Sequence, residues 1–160
     1  MKRIAIFILG FIAGVVFLGS AVIIVAPKMM IVSSASRYDF DETVLRIEQS
    51  IQQAGWSHKG TNFMNEEIGM RSGKGLGVRV AGIKLCKASY ARDILQDEKA
   101  RFASCLMPCT ISVWESDLGK VYVSKMNTGL MGKLFGGKMA EIMADKVAPQ
   151  EHEMLKDIIN

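Results

Sequence analysis

Cys109-Thr110-Ile111-Ser112-Val113-Trp114-Glu115-Ser116-Asp117-Leu118-Gly119-Lys120-Val121-Tyr122-Val123-Ser124-Lys125-Met126 is the stretch whose reading decides the fold. Both of its ends are rich in β-branched and aromatic residues and alternate with period two, so each reads as a strand. Ser116 to Gly119 is a turn, and strands joined so closely pair antiparallel. Cys109, Ile111 and Val113 share one parity, and Val121 and Val123 match it across the turn, which defines a core face.

Upstream, Val78 to Cys86 is apolar on both parities and reads as an interior strand. Ser89 caps a short helix through Leu95 that turns Ala91, Ile94 and Leu95 inward. Asp97 to Ser104 is mixed and fits neither period. Phe40, Val44, Ile47 and Ile51 recur at spacings of four, three and four and form one face of an amphipathic helix, capped by Asp39 or Asp41 and ended by Gly55. Trp56 to Thr61 reads as a short strand, Phe63 to Arg71 as a short helix, and Met30 to Ala35 as the first strand. Downstream, one helix begins near Thr128, with Leu130, Met131, Leu134, Phe135, Met139, Ile142 and Met143 as its apolar positions. Gly132, Gly136 and Gly137 weaken it, so it needs packing to persist. Its face covers the sheet, lies on a membrane or meets a second copy. A last helix, Gln150 to Ile159, follows Pro149. The class is α+β: a small antiparallel or mixed sheet with helices packed on one face.

Ile4 to Ala26 is uncharged, and 19 of its 23 residues are apolar. As a helix it is about 34 Å long, against about 30 Å for the hydrocarbon core of a bilayer. The run is too long for a signal-peptide apolar region and ends in no small-x-small cleavage site, so it reads as an uncleaved anchor. Lys2 and Arg3 keep the N-terminus inside and place the rest outside the cytoplasmic membrane of a bacterial-type cell. The chain thus divides into residues 1–28, a transmembrane anchor, and 29–160, an extracytoplasmic α+β domain. Gly10 and Gly14 stand on one helix face, the spacing that lets two membrane helices approach.

The whole chain is 49% hydrophobic with a charge of +4. Its 160 residues hold one ordinary domain and exclude a multidomain enzyme. From residue 27 onward, 18 Lys and Arg stand against 16 Asp and Glu, so the clustered positive charge of a nucleic-acid binder is missing. Ser72-Gly73-Lys74-Gly75-Leu76-Gly77 matches neither the P-loop nor the dinucleotide pattern and reads as a surface connection.

Leu106-Met107-Pro108 ahead of the first hairpin strand, Gly119-Lys120-Val121-Tyr122-Val123-Ser124-Lys125-Met126-Asn127, Tyr38-Asp39-Phe40-Asp41-Glu42-Thr43-Val44 and Cys86-Lys87-Ala88-Ser89-Tyr90-Ala91 together resemble the domain of unknown function 302 family. Met126-Asn127-Thr128-Gly129-Leu130-Met131 followed by Phe135-Gly136-Gly137 is similar to its membrane-anchored branch. The resemblance spans about Ile31 to Met143. It implies a small α+β domain that tends to dimerise and no established reaction. Thr110 stands where arginine is frequent in the family and Trp114 where tyrosine is usual, so an anion contact through that arginine would be missing here.

Three cysteines in an oxidising compartment need explaining. Cys105 and Cys109, four apart, lie about 13 Å apart if extended, too far for a disulfide unless Pro108 bends the chain. Cys86 neighbours the hairpin and is a second partner for either. The plain alternative is that Cys109 is a small buried apolar residue. Ten methionines fall outside the anchor. Thiolates and thioethers together are soft ligands suited to Cu(I), while a methionine-lined core explains the same residues. Cys86, Cys105, Cys109, Met107, Met126 and Asn127 are the ligand or redox candidates, and Cys105 with Cys109 the metal candidates. His58 and His152 form no zinc-spaced pair, and His152 between Glu151 and Glu153 reads as solvated.

No catalytic motif is found, and no cofactor is implied. The sequence describes a single-pass, membrane-held, non-catalytic binding or accessory module, a homodimer with a small-molecule ligand and no nucleic acid. Two other readings stand beside it: a thiol-dependent redox or Cu(I) protein, and a binder of an apolar ligand or lipid between the sheet and the C-terminal helix.

Overall fold

The computed structural model describes residues 2–160; the side chains of residues 2–9, 18, 21, 22 and 25 lie outside the described set. Helix α1, Lys2–Met30, runs without a linker into strand β1, Ile31–Ala35. Then follow α2 (Phe40–Gln53), β2 (Ser57–Phe63), α3 (Met64–Ser72), β3 (Val80–Cys86), α4 (Ala88–Gln96), a 3-10 segment (Glu98–Leu106), β4 (Cys109–Glu115) and β5 (Val121–Met126). The chain ends with α5 (Thr128–Phe135), the short α6 (Gly137–Met139), a π-helical segment (Ala140–Val147) and α7 (Ala148–Leu155).

Five antiparallel strands form one sheet in the order β1-β5-β4-β3-β2. The hairpin that decided the class lies at its centre, with Val113 opposite Val123 and both buried. Ala81, Ile83, Leu85, Ile111, Val113 and Val123 line the core face, and Phe40, Val44, Ile47 and Ile51 of α2 pack with them in one core. Met139, Ile142, Met143, Val147 and Leu155 complete that core. Helix α2 forms where its apolar spacing places it. The Asp39 carboxylate accepts from the Glu42 amide at 2.9 Å, and Gly55, at φ +70°, ends the helix with bonds from Gly55 N to Gln52 O and from Trp56 N to Ile51 O. Asp41 instead pairs with Arg79, its Oδ2 accepting from Nη1 at 2.9 Å.

Several expectations are corrected. The single helix expected from Thr128 breaks at Gly136 and Gly137, at φ +70° and +51°, a left-handed conformation that side-chain-bearing residues avoid. The break folds α5 back against the π-helical segment, so the expected stripe divides: Met139, Ile142 and Met143 are buried, while Leu134 is 67% exposed. The last helix starts at Ala148, and Pro149 sits in its first turn, where a missing amide proton costs nothing. Ser89 caps nothing; Lys87 holds the N-cap position of α4 without a side-chain bond. Helices do not keep to one face, because Met64 of α3 reaches Gly82 on the side opposite Ala81 and Ile83, its Cε 3.0 Å from where a Cβ would stand.

Among the described residues no helix is long and apolar enough to cross a membrane. The anchor expected over Ile4–Ala26 falls in part on side chains outside the described set. At Gly10 and Gly14 a Cβ would meet nothing within 4 Å.

Candidate functional site

Asn127 makes the joint between the N-terminal helix and the domain. Its amide donates to Met30 O at 2.8 Å and its side-chain Nδ2 to Met29 O at 3.0 Å, while Oδ1 accepts from the Leu130 amide at 3.1 Å and caps α5. Asn127, a ligand candidate from sequence, is therefore occupied in structure.

Beside this joint, where β4 begins and β5 ends, lies a pocket of about 750 Å³. Pro27, Met30 and Ile31 form one wall, Cys105, Leu106 and Pro108 another, and Met126, Met131 and Met143 the apolar remainder. Thr110, Ser112 and Ser124, on the strand parity opposite Lys125, also border it. Lys125, Thr128 and Glu151 also line it and form a connected polar group. Lys125 Nζ donates to Glu151 Oε2 at 2.9 Å, and Thr128 Oγ1 donates to the same oxygen at 2.8 Å. The side chain of Glu151 is 2% exposed and that of Lys125 18%. Among the described residues no group donates to Glu151 Oε1. A mainly apolar cavity of this size with a few convergent polar groups is the common form of a small-molecule site. A second groove, about 650 Å³ between α2 and α7, is lined mostly by long polar side chains of both signs such as Arg46, Lys156 and Asp157 and has no such convergence.

Next to the pocket is a void of about 30 Å³. Cys86, Met107, Cys109, Met139 and Met143 all line it. Cys109 and Met143 stand between void and pocket, whereas Cys105 is exposed at the pocket wall and does not reach the void. Cys105 and Cys109 both line the pocket, Cys109 also lines the void with Cys86 and Met107, and Met126 lines the pocket alone. All three thiols are free. Among the described residues no group of three or more His, Cys, Asp or Glu is placed to hold a metal ion.

Burial pushes the Cys109 thiol up to about 12, with Glu151 and Cys86 adding to the shift and Lys125 opposing it. The folded chain therefore keeps a proton that the unfolded chain releases from about pH 9. This contribution to stability is complete below pH 9 and is lost as pH rises towards 12, with a slope of at most about 1.4 kcal/mol per pH unit. Urea midpoints at about pH 8 and about pH 11 should converge less steeply on zero in Cys109→Ala than in the parent, since the variant lacks this linkage. Equal pH slopes for the two would refute the assignment.

Sequence reasoning missed Lys125, Thr128 and Glu151. One signal was present: Lys125 shares the core parity of Val121 and Val123, and a charge on a core face requires a partner. Nothing marked Glu151 as that partner. His152 is exposed as expected, but its neighbour Glu151 is buried. On the opposite sheet face, Trp114 stacks on Tyr122 at 4.7 Å and donates to Ser124 Oγ at 2.8 Å, and Thr110 carries its hydroxyl where the family's arginine is frequent.

The fold and its pocket define a small α+β domain with one five-stranded antiparallel sheet and a ligand-sized cavity at the sheet end where the N-terminal helix enters. The chain belongs to the family described as "Domain of unknown function DUF302", which matches residues 32–160. The crystal structure of an uncharacterized conserved DUF302 protein from Bacillus stearothermophilus is similar, with a TM-score of 0.69 at 18% identity over 81% of this chain and 98% of that one. That likeness is one of fold. No curated protein matches the chain. The match to the family begins beyond α1 and leaves the membrane-anchored branch unaddressed.

Proposed function

We propose that this chain is a membrane-held binding module whose pocket takes an acyl-chain amphiphile, acting by binding and not by turnover. The single observation that carries the reading is the apolar cavity beside the end of α1, with the Lys125–Glu151 pair among its walls. Methionine-rich walls adapt to flexible chains, and a neutralised ion pair suits a polar head without demanding one charge. The uncharged run Ile4–Ala26 and the pair Lys2-Arg3 support a cytoplasmic N-terminus, with the domain on the outer side of the cytoplasmic membrane. The spacing of Gly10 and Gly14 supports pairing of two anchors in a homodimer.

Native mass spectrometry of the full chain, extracted in digitonin, tests the pocket. The expected spectrum shows one amphiphile retained per chain, lost in Met131→Trp, which puts an indole into the apolar wall of the cavity. Equal retention by parent and variant, or none by either, would reject the reading.

A further inference from the structure

We propose that the end face of the domain beside α1 beds into the interfacial layer of the bilayer, with Phe102, Leu134 and Phe135 at the boundary of headgroups and acyl chains. The proposal rests on the membrane-held reading and adds to it how the domain lies. Strand direction selects this face. β5 runs antiparallel to β1 and so back toward α1, and α5 follows it after Asn127 alone. β4 runs antiparallel to β5 and so starts at that same end, with the 3-10 segment Glu98–Leu106 leading into it. Both segments therefore sit at the sheet end where α1 enters. α1 passes into β1 without a linker, and Asn127 bonds to Met29 O and Met30 O, so this face keeps its place beside the helix end.

The face carries large apolar side chains open to solvent. Phe102 is 52% exposed, Leu134 67% and Phe135 44%, and the rings of Phe102 and Phe135 join the two segments at 5.3 Å between centroids. Cys105 and Met131, from the same two segments, share the pocket wall with Pro27 and Met30 of α1. An exposed apolar patch of this kind marks a membrane or protein contact. Its charges select the membrane. Lys28, Lys99, Arg101 and Lys133 are exposed on the last turn of α1, the 3-10 segment and α5, and Glu98 is the only acid on those stretches. Asp97, just ahead, is occupied in capping the 3-10 segment, where it accepts from the Lys99 amide at 3.0 Å. Apolar side chains flanked by cations settle on anionic lipid. A two-fold contact with a second copy through the same face would instead bring these cations against their own counterparts.

The test uses the full chain reconstituted into vesicles of phosphatidylglycerol and phosphatidylcholine, the latter brominated high on its acyl chains so that it quenches tryptophan on contact. Phe102→Trp and Leu134→Trp put the reporter on the patch, at positions exposed enough to admit an indole. Leu118→Trp, 87% exposed in the turn between β4 and β5, puts it at the opposite end of the sheet. After subtraction of the parent signal from Trp56 and Trp114, both patch reporters should lose at least about half their intensity and Leu118→Trp almost none. Should one patch variant fail to fold, the other decides. Flotation of the parent with the vesicles separates the two readings. A parent that does not float overturns the membrane-held reading and this proposal with it. A floating chain with either patch reporter quenched no more than Leu118→Trp overturns this proposal alone. Shielding of the patch reporters from aqueous acrylamide without quenching by lipid does the same and assigns the face to a second copy.

Discussion

Lys125→Met should destabilise the domain by about 3 kcal/mol, read from reversible urea unfolding of the detergent-solubilised chain followed by tryptophan fluorescence. Removing the ammonium leaves Glu151 ionised and almost wholly buried, with only the Thr128 hydroxyl still donating to it. Breaking one side of a buried pair typically costs about 3–5 kcal/mol, and the partial exposure of Lys125 sets the lower end. Glu151→Gln should cost less, about 1–2 kcal/mol, since the amide still accepts from Thr128 and the stranded ammonium has water within reach. Lys125→Met with Glu151→Leu should recover most of the loss, because no charge is then left in an apolar site. A double variant no more stable than Lys125→Met would remove the ion pair from the explanation of this corner.

Gly132→Ala should cost about 2–3 kcal/mol, near the upper end for overpacking. A Cβ at Gly132 would lie 2.8 Å from Ala144 N, 2.9 Å from Met143 Cβ and 3.0 Å from Met139 O. Two of these atoms are backbone and the third is the root of a buried side chain, so none can swing aside. To admit the methyl group, α5 must lift from the π-helical segment, which opens the pocket wall at Met131. Gly129→Ala is the internal control: its Cβ would meet Ala148 Cβ at 3.5 Å, an ordinary contact, and alanine favours the helix by up to about 1 kcal/mol. Thermal midpoints should fall for the first variant and hold or rise for the second. Similar losses in both would mean that the close approach at Gly132 does not decide the outcome.

Much of the fold was legible in local pattern. Period-two alternation in β4 and β5 located the hairpin, and the spacing from Phe40 to Ile51 located α2, because each pattern is fixed by a face that must be buried. The C-terminal region was not legible in the same way. Its apolar residues keep a helical spacing straight through Gly136 and Gly137, and only tertiary packing reveals that these glycines fold the chain back rather than merely weaken a helix. The site was half legible. Cysteines and methionines were visible as unusual chemistry, yet which of them line the same cavity depends on tertiary packing and on the chain reversal, neither of which composition encodes. Glu151 was hidden because a carboxylate flanked by polar neighbours in a short terminal helix normally faces water.

The absence of slack between Met30 and Ile31 has a consequence for reach. A domain on a loose tether samples a hemisphere; this one is clamped by the Asn127 bonds and by the pairing of β1 with β5, so it has a fixed height and a fixed heading relative to its helix. Its cavity, walled in part by Pro27 and Met30, stays level with the end of that helix. Wherever the end of that helix is held, the mouth of the cavity is held with it.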